Sequence, residues 1–221
     1  MPIIKAVIFD SDGTLVDTTR LIIEGFKQVL VDFGYKKFAI DEIVIQDIGG
    51  HIADVFSAIL SLPPTSEIIL SMVGHLDVVQ DEIASEMIKP YPHEKETLNR
   101  LKALKIKIGL FTSGTPYQVQ RNFNIVGINA TSTFDSMITQ VDMVASKPSP
   151  EGLLLCAKKL GVSVDNIMYV GDHSVDISAG RSAHVALTVG ISHGFHQEVE
   201  LRTAGADKVI HDLKELLELI T

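Results

Sequence analysis

Apolar residues along this chain follow two rhythms. Short apolar-rich runs, several of them apolar on consecutive positions, fall at Ile3–Phe9, Ile106–Phe111, Phe134–Ile138, Ile167–Val170 and Val185–Val189, with a weaker run at Lys208–Ile210. Such runs predict strands buried on both faces of a parallel sheet. Between them lie segments of helical period with start signals. Thr115-Pro116 and Ser149-Pro150 each put a capping residue before a proline at the predicted first helical position. His93-Glu94-Lys95-Glu96 predicts another helix start, with acids in its first turn. Strand, loop and helix alternate in this way from residue 90 onward, which predicts an α/β fold, a doubly wound, Rossmann-like parallel sheet.

Residues 16–89 break the alternation. A helix is predicted over Thr18–Phe33, with Ile22, Phe26, Val29, Leu30 and Phe33 on one face and Gly34 placed to end it. Helical segments at Ile52–Leu60 and Ser66–Met87 follow, and "KPYPH" (89–93) leads back to the α/β pattern. The expected organisation is one α/β core, residues 1–15 plus 90–221, interrupted by a helical insert over 16–89.

Composition narrows the function. The chain of 221 residues is 46% hydrophobic, enough for a full core, and its net charge of −9 argues against a basic nucleic-acid-binding face. Its one cysteine, Cys156, lies in the apolar run "GLLLCAKKL" and reads as core packing rather than a nucleophile. No apolar stretch approaches a membrane span, and "MPIIKAVIFD" lacks the pattern of a signal peptide, so a soluble cytoplasmic protein is expected.

Ligands of open parallel sheets bind beyond the carboxyl ends of the strands. There the chain places its chemistry: Asp10-Ser11-Asp12-Gly13-Thr14 after the first strand, Thr112-Ser113-Gly114 after the second, Lys147 in "ASKPSPE", and Gly171-Asp172-His173-Ser174-Val175-Asp176 after "IMYV". Carboxylates, hydroxyls, a lysine and loop N–H groups on one rim suit phosphoryl transfer. Magnesium prefers few carboxylate ligands and relieves the repulsion between acids such as Asp10 and Asp172. A carboxylate can attack phosphorus, while lysine, hydroxyls and N–H groups hold the phosphoryl oxygens.

With these motifs in order, the chain resembles the haloacid dehalogenase-like superfamily, in the branch of phosphoglycolate phosphatases and β-phosphoglucomutases with a helical cap. The segments "FDSDGTLVDT", "LFTSGT", "SKPSPE" and "YVGDHSVDI" carry the resemblance, which spans essentially the whole chain. It implies that Asp10 is the nucleophile and a Mg²⁺ ligand, and that Asp12 is the general acid/base, its backbone carbonyl also on the metal. It implies that Thr112 and Lys147 hold the phosphoryl group with Ser113 and Gly114. It further implies that Asp172 is the third protein ligand of the metal, with Asp176 a nearby metal-site residue that supports it from behind the ligands. The chain departs from the family at His93, where glycine is usual, and at His173, where serine or threonine is commoner. Asp12 argues against a dehalogenase, because family dehalogenases lack an acid there.

The predicted cap bears on the substrate, a small phosphorylated metabolite. Residues 38–88 contain no lysine or arginine but nine acids: Asp41, Glu42, Asp47, Asp54, Glu67, Asp77, Asp81, Glu82 and Glu86. A cap that clamps a second anion normally supplies a cation, so a neutral or polar leaving group is expected, although Lys36, Lys37 or Arg20 could serve an anion. Gly49-Gly50-His51 either faces the leaving group or starts a helix with a surface histidine. His75 reads as solvated, and His193 and His196 as an ordinary loop with Phe195 packing. The leading reading is a Mg²⁺-dependent phosphatase. A phosphosugar mutase is the alternative, and a non-catalytic binding protein on the same scaffold is a third reading.

Overall fold

In a computed structural model, which describes residues 2–35 and 52–220, the chain groups into two units: Met1–Asp17 with Lys89–Thr221, and Thr18–Ile88. The first is built on a six-stranded sheet of β1 (Ala6–Phe9), β4 (Lys107–Phe111), β5 (Ser136–Ile138), β6 (Ile167–Gly171), β7 (Leu187–Ile191) and β8 (Lys208–Ile210). Its order is β5-β4-β1-β6-β7-β8, and every neighbouring pair is parallel. β1 is central, with Phe9 beside Leu110 on one side and Val170 on the other. All four of its residues are buried, as an apolar run between two covered faces requires. The crossovers are made by α4 (Glu94–Ala103), α5 (Pro116–Ile125), α6 (Ala130–Thr133), α7 (Glu151–Leu160), α8 (Ser174–Ser182) and α9 (Glu198–Thr203), and a 3₁₀ helix over Leu213–Leu219 follows β8.

Four strands begin later than the apolar runs, β4 by one residue, at Lys107. Phe134 N–H closes the last turn of α6 on the Ala130 carbonyl, so β5 starts at Ser136. Val185 N–H returns to Gly180 at the end of α8, which shifts the predicted Val185–Val189 strand to Leu187–Ile191. β1 starts at Ala6 rather than Ile3, although Lys5 N–H already bonds the Asn166 carbonyl. At Ser149-Pro150 the proline stands just before the helix rather than inside it, and Ser149 Oγ accepts from Glu151 N–H. Thr115 behaves as its sequence predicts. Its hydroxyl accepts from Gln118 N–H at 3.2 Å and Gln118 Oε1 accepts from Thr115 N–H at 2.9 Å, with Pro116 leading the helix.

The chain leaves and re-enters the first unit through a two-stranded antiparallel ribbon, β2 (Val16–Asp17) with β3 (Lys89–Pro90). The second unit contains α1 (Thr19–Asp32), α2 (Ile52–Leu60) and α3 (Glu67–Met87). Phe26 of α1 and Phe56 of α2 pack with ring centroids 4.6 Å apart. The buried face of α1 is Leu21, Gly25, Phe26, Val29 and Leu30, so it is turned toward Leu21, away from the predicted Ile22 and Phe33. Gly34, at φ 82°, ends this helix as expected. His75 Nε2 pairs with Asp32 Oδ2 at 2.8 Å, linking α3 to α1.

Candidate active site

The loop after β1 is wound tightly around one carbonyl. Ser11 C=O accepts from the N–H groups of Thr14, Leu15 and Val16. Gly13 turns the chain at φ 79°, and a methyl group there would collide with the Asp172 carboxylate and the Phe195 ring. The glycine of Asp-x-Asp-Gly-Thr is therefore required twice, for backbone sign and for space. Thr14 Oγ1 donates to Asp172 Oδ1 at 2.7 Å, so the first motif grips the last.

Asp10, Asp172 and Asp176 gather beyond the ends of β1 and β6. Each is buried, and each offers an oxygen within 4.8 Å of the other two. Lys147 is also buried, and its Nζ donates to Asp10 Oδ1 at 2.5 Å and pairs with Asp176 Oδ1 at 2.7 Å. The Phe111 ring lies 4.8 Å from the same Nζ. Asp176 is further held by Tyr169 O–H at 2.8 Å and by His173 N–H at 3.2 Å. Asp172 Oδ2 accepts from Phe195 N–H at 2.7 Å.

The electrostatics follow from burial. Desolvation pushes the Asp10 carboxyl up to about 7, against the opposing pull of Lys147 and with Asp176 and Asp12 adding repulsion. Asp172 is held well above the ordinary carboxylate range, first by burial and then by Asp176 and Asp10. Burial works against the charge on Lys147, but Asp10 and Asp176 outweigh it and keep the ammonium above the ordinary lysine range. Three carboxylates face one cation. An additional divalent cation balances that charge, and hard carboxylate oxygens are the donors such an ion takes.

Thr112 ends up at the head of the neighbouring strand, buried, with its Oγ1 accepting from Gly114 N–H at 3.1 Å. A methyl group at Gly114 would lie 3.4 Å from Thr112 Oγ1 and 3.7 Å from Asp12 Oδ2, so the strand-end loop Thr112-Ser113-Gly114 and Asp12 border one space. The structure thus brings Asp10, Asp172, Asp176 and Lys147 into contact and sets Asp12, Thr112 and Gly114 beside one another. His51, with Gly49 and Gly50, lies outside the described residues.

Several supporting groups lie at residues to which the sequence pattern assigns no role in the site. His173 accepts the Val175 N–H through Nδ1 at 3.3 Å, so an imidazole caps α8 where a hydroxyl is commoner. His196 Nδ1 accepts from Ser174 N–H at 3.2 Å, and its ring packs 3.7 Å from that of His173. His193 stacks on Tyr91 at 3.6 Å and bonds the Thr14 carbonyl through Nε2 at 3.0 Å. The Ser192–His196 loop therefore braces Asp172 and the Asp10 loop, and Phe195 is buried as expected. His93 stands at φ 61°, a left-handed position that explains the usual glycine, and its Nδ1 meets Asp212 Oδ2 at 2.7 Å.

The chain is similar along most of its length to known proteins. The family model described as haloacid dehalogenase-like hydrolase matches residues 7–189. A pyrophosphatase, PpaX, of Oceanobacillus iheyensis is 26% identical over 217 residues, covering 98% of this chain and 97% of its own. A glyceraldehyde 3-phosphate phosphatase of Methanocaldococcus jannaschii is 26% identical over 230 residues, covering 98% of this chain and 97% of its own. The crystal structure of a hydrolase from Pseudomonas syringae superposes with a TM-score of 0.85 at 25% identity, covering 98% of this chain and 97% of that one.

Proposed function

The chain belongs to the haloacid dehalogenase-like hydrolases, and on that premise we propose that it is a Mg²⁺-dependent phosphatase acting on a small phosphomonoester through an aspartyl-phosphate on Asp10. One observation carries the reading. Among the described residues, three buried carboxylates, Asp10, Asp172 and Asp176, share one buried counter-charge, Lys147, at the strand ends where Asp12 and the Thr112–Gly114 loop also lie. A structural core has no use for that imbalance, whereas a metal-assisted phosphoryl site does.

Asp10, Asp172 and the Asp12 carbonyl would hold the ion, with Asp176 beside them. When bound, magnesium supplies charge neutralisation for the phosphoryl oxygens. Asp10 attacks phosphorus, and the P–O bond to the leaving group breaks as the Asp10–phosphorus bond forms. Asp12 gives its proton to the leaving oxygen, then takes one from the water that cleaves the acyl phosphate. Lys147, Thr112 and the N–H groups of Ser113 and Gly114 hold the phosphoryl oxygens through both steps. The Thr18–Ile88 unit is the cap in this reading, joined to the core through the β2–β3 ribbon. No helix among the described residues is long and apolar enough to cross a membrane, and a cytoplasmic setting remains part of the proposal.

The named activities of the relatives divide between an anionic leaving group, in pyrophosphate, and a neutral one, in a sugar phosphate. The absence of lysine and arginine from residues 38–88 favours the neutral group and also counts against a phosphosugar mutase, whose bisphosphate needs a second cation. The test is phosphate release from sugar phosphates, phosphoglycolate and pyrophosphate, with Mg²⁺ and with chelator, beside Asp10→Asn. Metal-dependent release that the substitution abolishes supports the reading, and a preference for pyrophosphate or phosphoglycolate would overturn the leaving-group assignment.

A further inference from the structure

Asp12 is held from a helix that carries no motif. Asn122 lies on α5 and is only 3% exposed, an unusual setting for an amide, and its Nδ2 donates to Asp12 Oδ1 at 3.0 Å. Arg121 Nε in turn donates to Asn122 Oδ1 at 3.0 Å. Chemistry dictates the direction of this chain of bonds. A guanidinium has donors only, so the amide oxygen must face Arg121 and the NH₂ must face Asp12. Asp12 Oδ1 is then an acceptor and cannot direct a proton along that bond. The other oxygen, Oδ2, is the one 3.7 Å from where a Gly114 methyl would lie, so it faces the phosphoryl loop.

We propose that Asn122, oriented by Arg121, is the positioning residue of the acid/base. It fixes Oδ1 and so turns Oδ2, which borders the Thr112–Gly114 loop, toward the phosphoryl group as the oxygen that protonates the leaving group and accepts the proton from water. The proposal rests on the phosphatase reading. In the first step the phosphorus–leaving-group bond breaks, the Asp10–phosphorus bond forms, and the proton moves from Asp12 Oδ2 to the leaving oxygen. In the second, water oxygen bonds phosphorus, the Asp10–phosphorus bond breaks, and the water proton returns to Oδ2. An aligned acid matters most when the leaving group is a poor one, because an alkoxide needs the proton and a nitrophenolate does not. A buried amide kept only for packing makes no such distinction between esters.

The experiment compares kcat/KM of the wild type, Asn122→Leu, Asn122→Asp and Arg121→Met, all with Mg²⁺, on glycerol phosphate and on p-nitrophenyl phosphate. General acid–base groups contribute roughly 10²–10⁴-fold, so misaligning one predicts a loss of about 10–100-fold on the alkyl ester and under about 3-fold on the aryl ester. Arg121→Met, which frees the amide to turn, falls between wild type and Asn122→Leu. Acid-quenched Asn122→Leu turning over p-nitrophenyl phosphate accumulates phosphorylated Asp10, read by peptide mass, because the second step also needs Oδ2. Equal losses on both esters, no loss on either, or no accumulation of the phosphorylated peptide would overturn the positioning role. Failure of the wild type itself to hydrolyse either ester would instead overturn the phosphatase reading on which the role depends.

Discussion

Asp10, Asp172, Asp176 and Lys147 occupy a space that four charges of this mix do not fill neutrally, and the consequence is measurable one proton at a time. The Asp10 carboxyl, pushed up to about 7 by burial, is largely protonated below neutrality in the metal-free protein. A divalent cation must displace that proton and any held by Asp172, so metal binding releases protons near neutral pH and affinity rises with pH. Calorimetry of Mg²⁺ binding in buffers of different ionisation enthalpy checks this; a pH-independent affinity would contradict it. Glu94, at the start of α4, makes the opposite demand. It is buried, and burial raises it from 4.5 to about 7, against the pull of Lys95 and of a hydrogen bond from the Tyr91 backbone. The folded state therefore binds this proton more tightly than the unfolded chain, and the protein loses stability as pH rises from about 4.5 to about 7. Glu94→Gln is predicted to be neutral near pH 4 and to stabilise by about 1–3 kcal/mol at pH 8, by denaturant unfolding. A stabilisation equal at both pH values would show that ionisation is not its cause.

At the scale of elements, α5 does two jobs. Its N-terminus follows the Thr112–Gly114 loop through the Thr115–Gln118 box, and its second turn carries Arg121 and Asn122 to Asp12. Thr115→Ala is predicted to cost about 1 kcal/mol in denaturant unfolding. An unchanged midpoint would mean that the box contributes nothing. This element also marks how far the sequence could be read. Thr115-Pro116 announced the helix start, and the strand-end residues announced the site, because a buried strand that runs into carboxylates is hard to explain otherwise. Asn122 was invisible, since an asparagine at a helical core position has no pattern until the helix is docked. The Phe195 N–H on Asp172 was equally invisible, because a backbone donor can come from any residue. Strand starts were misread at Val185 and Phe134 for a related reason: apolar residues there close helix turns before the ladder begins.

The whole molecule joins these pieces by topology. β1 and β6 are adjacent at the sheet centre and β4 lies on the other side of β1, so the three strands that carry Asp10, Asp172 and Thr112 end side by side although their residues are far apart in sequence. Lys147 reaches the same place from the loop after β5, drawn in by two carboxylates. In the proposed reaction this junction is a covalent relay, and the direct measurement is the mass of the Asp10 peptide from enzyme acid-quenched during turnover of a phosphomonoester. The prediction is one added phosphoryl group on Asp10 with Mg²⁺, none with chelator, and none in Asp10→Asn. Phosphate release that proceeds with no label on Asp10, or that survives Asp10→Asn, would contradict it.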